Sequence, residues 1–523
     1  MRAALAMLLL AGALLLGAVG AQAQQAGGTL TALIQPEPPT LMVGLNQQGP
    51  VQTVAGKIYQ GLLTYDFDLK PMPSLARSWE VSADGRTYTF HLEENVRWHD
   101  GVPFTAADVI FSTMTFLPET HPRARGTFAR VESASASDPH TVVFRLKEPF
   151  GPFLSAFAAG SAPMIPKHIY EGTDYRANPA NRTPIGTGPF RFAEWKRGQY
   201  IRLVRNPDYW KPGRPYLDAI VYRVVPDATA RRIALESGEV QLSAFNDIEW
   251  FDVPALRRSP SLTYTDKGYE FFSPLAWVEL NVRSAPLSDR RFRQALYYAL
   301  DRNFIRERIF FGQGRVATGP IASTTRFYSP DVTRYAFDPA RAEALLDEMG
   351  LGRKQDGTRA TLRLLVLPYG EAWMRLAEYV KQAWARIGIA VTLEATDAAG
   401  WAQKVANWDY EATFDFLYQF GDPALGVARV YETRNMKRGV LFNNTIGYVN
   451  PALDAVFDEA AITSPDEARA ALYHTAQQML VEDVPVLWLL ELQFPTFTAN
   501  RLRNAVTTAI GVNDSFDSAY LAK

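Results

Sequence analysis

Residues 76–112, ARSWEVSADGRTYTFHLEENVRWHDGVPFTAADVIFS, are the part of this chain whose reading decides its fold. The centre alternates: Tyr88, Phe90 and Leu92 fall on one face, Thr89 and His91 on the other. Alternation with period two marks a half-buried strand. Asp84-Gly85, just before it, punctuates a turn, and Asp100-Gly101 makes another. Thr105 with Asp108 three residues on has the form of a helix N-terminal capping box, with Asp in place of the usual Glu.

The same grammar extends outward. Residues 141–146 alternate again, with Val142, Phe144 and Leu146 on one face and Asp138-Pro139 as the preceding turn. Further on the period changes to that of a helix. Phe292, Leu296, Ala299 and Leu300 share one face, opened near Ser288-Asp289. Ala342, Leu345, Leu346 and Met349 form a second, stopped by Gly350. Trp373, Leu376, Ala377, Val380, Trp384 and Ile387 form a third, stopped by Gly388 and followed at once by an alternating Ile389, Val391 and Leu393. Leu472, Ala476, Met479 and Leu480 supply one more, before an apolar run over residues 484–492. Hairpins near the beginning and helix–strand units later predict an α/β chain of at least two lobes.

The compartment is read from the first residues. Arg2 precedes an apolar run over residues 3–20, and Ala21-Gln22-Ala23 supplies a small-x-small cleavage pattern. Residues 1–23 therefore read as a secretory signal peptide rather than an anchor, the run being near the lower limit for spanning a bilayer. The chain has no cysteine, which removes the lipid attachment point of a bacterial lipoprotein and all disulfides. A 523-residue chain can build a core large enough to do without them. The expected location is a Gram-negative periplasm. Lys and Arg total 54 against 55 Asp and Glu, a balance that points to neither nucleic acid nor an anionic membrane as partner.

Several blocks, in order, resemble the family-5 extracellular solute-binding proteins, the dipeptide, oligopeptide and nickel binders of ABC importers. The first is Ser78-Trp79-Glu80, Thr87-Tyr88-Thr89-Phe90, Val96-Arg97-Trp98-His99-Asp100-Gly101 and Pro103-Phe104-Thr105-Ala106-Ala107-Asp108-Val109. The second is Gly186-Thr187-Gly188-Pro189-Phe190 with Arg205-Asn206-Pro207-Asp208-Tyr209-Trp210. Leu280-Asn281, Arg293-Gln294-Ala295-Leu296, Gly447-Tyr448-Val449-Asn450-Pro451 and Asp483-Val484-Pro485-Val486 complete it. The two glycines around Thr187 suit a tight bend and lack the third glycine of a dinucleotide fingerprint.

The resemblance implies a type II periplasmic-binding fold, two lobes joined by a hinge. Lobe I would take residues 27–270 plus 490–523, with an extra subdomain over 71–185, and lobe II residues 271–489. The crossings would lie at residues 269–272 and in the apolar stretch after Val484. Such a protein captures a peptide or peptide-like solute by lobe closure and hands it to ABC permease subunits, as a monomer, without a cofactor, metal centre or catalytic step.

Site residues follow from the same resemblance. Relatives place an acid three positions before an Asp/Glu-Pro pair, where it meets a peptide ammonium. Here that pair is Asp422-Pro423, and counting back gives Gln419, an uncharged amide, with Asp415 as the possible replacement. Asp422 either meets ligand or caps the helix that follows. Tyr418, and Tyr269, Phe271 and Trp277 around the predicted crossing, line the cleft or fill core. Trp401 stacks on ligand or packs inside. Asn281 reads a ligand amide or bridges strands. Arg429 meets a carboxylate or sits on a solvated helix face. The Gln419 departure admits a non-peptide solute: a sugar, an opine-like conjugate or a nickel–chelator complex.

Other functions find less support. There is no nucleophile elbow, no zinc-type His-Glu-x-x-His and no Walker loop. The six histidines, His91, His99, His121, His140, His168 and His474, are scattered. A chemoreceptor-coupled sensor or a peptide chaperone would use the same trap.

Overall fold

The structure is a computed structural model that describes residues 26–523, so the expected signal peptide lies outside the described residues. Two large mixed sheets organise it. The first has seven strands, in the order Leu262–Thr265, Thr496–Ala499, Leu242–Ser243, Thr29–Leu33, Ala219–Arg223, Tyr200–Arg205 and Phe190–Lys196. The second has six, in the order Arg315–Val316, Val486–Glu491, Leu275–Leu280, Ala412–Leu417, Ala360–Leu365 and Ile389–Glu394. A separate antiparallel sheet of four strands carries residues 76–81, 87–92, 141–146 and 131–138. The α/β, two-lobed fold expected from the sequence is the fold observed.

The alternation read in the opening stretch is seen directly. Thr87–Leu92 and Thr141–Leu146 pair antiparallel, and Tyr88, Phe90, Leu92, Val142, Phe144 and Leu146 all turn into one core. Asp108 closes the capping box by accepting the Thr105 N–H at 2.9 Å. In the six-stranded sheet, Ala360–Leu365 and Ile389–Glu394 run parallel, joined by the helix Glu371–Arg386. Parallel neighbours need such a crossover, and Gly388 ends the helix with φ +86°. The run over residues 484–492 holds the strand Val486–Glu491, whose six residues are all buried. Both its faces are covered, which is why it shows no alternation.

Two readings gain detail from the structure. The helix Asp466–Asp483 buries Arg469, Tyr473, Ala476 and Leu480, whereas Leu472 and Met479 are only half-buried. Arg469 joins the buried stripe and pairs there with Asp422. Gly186 and Gly188 flank a bend over residues 187–189, as expected, and close packing also requires them: a Cβ on Gly186 would lie 1.9 Å from the Ile58 carbonyl oxygen and one on Gly188 2.4 Å from that of Lys57. They let two backbone segments touch.

Two large cores surround the sheets, one running from Leu30 to Ala519 and including the four-stranded sheet, the other from Trp250 to Phe494, and a smaller third cluster joins Leu33, Leu235, Leu256 and Phe497 on the first sheet. The chain passes from the first sheet to the second through residues 266–274 and returns through 492–495. These passages are tied together. The Leu492 N–H donates to the Pro274 carbonyl at 2.8 Å, and the Tyr269 and Thr496 hydroxyls are 2.7 Å apart.

Candidate functional site

Between the two sheets lies a cavity of about 120 Å³. Its position follows from strand direction. Thr29–Leu33 runs parallel to Ala219–Arg223 and Leu242–Ser243, and the chain leaving these strands supplies one wall through Ile34, Gln35, Ala244, Phe245 and Asp247. Ala360–Leu365 and Ala412–Leu417 are parallel as well, and the chain beyond them supplies Leu367, Tyr369, Tyr418 and Phe420 to the opposite wall. Ligands of α/β sheets collect beyond the carboxyl ends of parallel strands, where loops diverge.

Each wall contributes one guanidinium and one carboxyl. The first gives Arg123, from the helix Pro122–Phe128, and Asp247; the second gives Arg429, from the helix Ala428–Tyr431, and Asp415. Burial pushes the Asp247 carboxyl up to about 7, against the hydrogen bond it accepts from the Ala244 N–H at 2.8 Å. Burial, with repulsion from Glu279, also holds Asp415 well above the carboxylate range, although its Oδ1 accepts the Phe416 N–H at 2.8 Å. Arg429 is pushed down to about 10 by burial, partly offset by Asp415. Arg123 is lowered by burial and by Arg429.

Aromatic residues fill the space between these charges. The Arg123 guanidinium lies 3.6 Å above the Phe420 ring centre. Phe420 and, on the facing wall, Phe245 both have left-handed backbones, with φ of 52° and 50°. A bulky residue there costs roughly 1–3 kcal/mol, strain that gathers at functional sites.

Of the residues singled out from the sequence, the structure brings Trp401, Tyr418 and Arg429 to the cavity, with Asp415 beside them. The Trp401 indole N–H donates to the Thr413 hydroxyl at 3.0 Å, which fixes the ring in the wall. The others lie elsewhere. Gln419 spends both ends of its amide on a neighbouring loop, donating to the Pro320 carbonyl and accepting the Ala322 N–H, each at 3.0 Å. A carboxylate could not do both, which gives the amide a physical reason at this position. Asp422 caps its helix by accepting the Ala424 N–H at 3.0 Å and pairs with Arg469. Asn281 bridges strand ends by donating to the Trp408 and Tyr410 carbonyls. Trp277 is buried in the middle of the second sheet. Phe271 stacks on Tyr65 with ring centres 4.9 Å apart. Tyr269 stands just behind the wall, donating or accepting at Thr496 and meeting the Phe245 ring edge-on at 5.0 Å.

Sequence reasoning did not pick out Arg123, Asp247, Phe245 or Tyr369. Nothing in the sequence around Arg123 marks it, and Asp247 is one carboxylate among many. Among the described residues, no group of three His, Asp or Glu gathers to hold a metal ion. Nor is any described helix long and apolar enough to cross a membrane.

Comparison with known proteins agrees with this geometry. Residues 70–437 match the model for bacterial extracellular solute-binding proteins, family 5. The glutathione-binding protein GsiB of Pectobacterium atrosepticum is 30% identical over 451 residues, covering 84% of each chain. The oligopeptide-binding protein AppA of Bacillus subtilis, solved with a nonapeptide, superposes with a TM-score of 0.84 at 26% identity, covering 96% of this chain and 100% of that one. AgaA of A. tumefaciens R10, solved with agropinic acid, gives a TM-score of 0.82 at 26% identity over 95% of this chain and 99% of that one. The chain binds solutes, and it belongs to the family-5 bacterial extracellular solute-binding proteins.

Proposed function

We propose that this protein captures a short peptide or peptide-like solute between its two lobes in the periplasm and delivers it to the permease of an ABC importer. One observation carries the ligand class: each wall of the cavity presents one guanidinium and one carboxyl, among aromatic rings. A zwitterionic solute with an apolar body finds complementary charge at both ends and stacking surface between them.

The relatives support the class. GsiB is named for glutathione and AppA was solved with a nonapeptide, while AgaA was solved with agropinic acid, which is not a peptide. With the Gln419 amide committed to Pro320 and Ala322, Asp415 is the group on the second wall that receives a solute ammonium. Burial holds it near neutrality until that cation arrives.

The physics is a population shift. A solute that touches both walls binds the closed form better than the open one and draws the molecule closed, and no bond in the solute breaks. Residues 266–274 and 492–495 carry the chain between the sheets and act as the hinge. Native mass spectrometry of protein isolated from the periplasm tests the reading. An adduct that fragments as a peptide or peptide conjugate is expected; a metal–chelator mass contradicts it.

A further inference from the structure

Resting on that reading of the cavity, we propose that the solute carries a carboxylate and that Arg123 and Arg429, facing it from opposite walls, hold it. Among the described residues, neither guanidinium forms an ion pair within 4.0 Å. The Arg429 guanidinium has no hydrogen bond, and its Nε is buried without a partner. Arg123 makes one long bond, from Nη2 to the Gly160 carbonyl at 3.3 Å, and otherwise rests on the Phe420 ring.

Buried arginines elsewhere in the molecule are treated differently. Arg231 donates to the carbonyls of Asp247, Val225 and Pro226. Arg293 donates to those of Val484, Leu287, Ser288 and Asp483. Arg469 has Asp422. A half-buried cation left without acceptors is costly, and two near enough to repel cost more. The cavity's own acids relieve it only in part: Asp415 acts on Arg429 through space, but neither Asp415 nor Asp247 reaches either arginine as an ion pair, and both are buried.

A carboxylate fits this vacancy in shape as well as charge. Its two oxygens match the forked donors of a guanidinium, and stacking on Phe420 holds Arg123 flat while leaving its edge free to donate. The two arginines also line a wider groove of about 780 Å³ that opens to the surface. They therefore stand at the partition between the aromatic cavity and the outside. The solute lies with its carboxylate at that partition and its body against Trp401, Tyr418 and Phe245. Because Arg123 belongs to one lobe's core elements and Arg429 to the other's, one anion tied to both rewards closure.

The test uses the mature protein and three defined probes in thermal-shift and calorimetric titrations: a pool of free tripeptides, the same pool as C-terminal amides, and a citrate–glutarate mixture. The free-acid pool is expected to bind wild type at least tenfold tighter than the amides. R123Q and R429Q are expected to lose that discrimination, while their unliganded melting temperatures stay equal to wild type or rise, since each removes an unpaired cation. Equal binding of acids and amides by wild type overturns the inference and leaves the peptide reading standing. Binding of citrate–glutarate alone, lost in both variants, supports the inference and sinks the peptide reading. Retained discrimination in both variants, or no carboxylate probe binding wild type, overturns it.

Discussion

The carboxylate of Asp422 is gripped by both terminal nitrogens of Arg469, at 3.0 and 3.1 Å, and both side chains are buried. The pair joins the turn after the strand Ala412–Leu417 to the long helix Asp466–Asp483. Removing one partner leaves an uncompensated buried charge. D422A and R469M are each expected to cost about 3–5 kcal/mol in denaturant unfolding, and the double variant less than their sum. Additive losses would show that the two residues act independently.

Gln419 stands three positions before Asp422, and both ends of its amide are engaged by Pro320 and Ala322. Q419E removes the donor to the Pro320 carbonyl and sets two acceptors face to face. It is expected to lose about 1–3 kcal/mol of stability with no gain in affinity for the free-tripeptide pool. Unchanged stability with tighter binding would place this side chain in the cavity.

Close backbone packing at Gly186 gives a sharp contrast with a glycine that has room. A Cβ at Gly186 meets the Ile58 carbonyl oxygen at 1.9 Å, whereas Gly126, in the helix Pro122–Phe128, has nothing within 4 Å. G186A is expected to fold poorly or melt many degrees lower. G126A is expected to gain roughly 0.5–1 kcal/mol from helix propensity. Equal melting temperatures for the two would contradict the packing described.

Asp247 titrates inside the cavity wall, with a pKa raised from 3.8 to about 7. The native state therefore keeps a proton that the unfolded state gives up between those values. Native binds more protons there, so this group's stabilisation is present below about 3.8 and is lost as pH rises through about 7. D247N mimics the protonated acid and removes the effect. Melting curves should show wild type losing stability relative to D247N across that window; a constant difference would mean that Asp247 is ionised throughout.

What the sequence made legible was local. The alternation at Tyr88, Phe90 and Leu92, and the helix that buries Trp373, Leu376, Val380 and Trp384 before Gly388, needed only neighbours in sequence, and both are present. The strand Val486–Glu491 was visible only as an apolar run, because burial on both faces erases its period. Trp401, Tyr418 and Arg429 came into view through the resemblance and do line the cavity. Asp422 and Gln419 carry the same motif but serve packing, which depends on Arg469, Pro320 and Ala322, partners that no spacing rule names. Arg123 and Asp247 were invisible for the same reason. They share a cavity with Arg429 and Asp415 only because two large cores, each assembled from distant segments, are set facing one another.

The central claim is that two walls carried by different cores grip one solute. Small-angle scattering of the mature protein, alone and saturated with a probe that calorimetry shows to bind, measures this directly. The account predicts a smaller radius of gyration at saturation and a return to the unliganded value when the probe is dialysed away. An unchanged radius at full occupancy would contradict it.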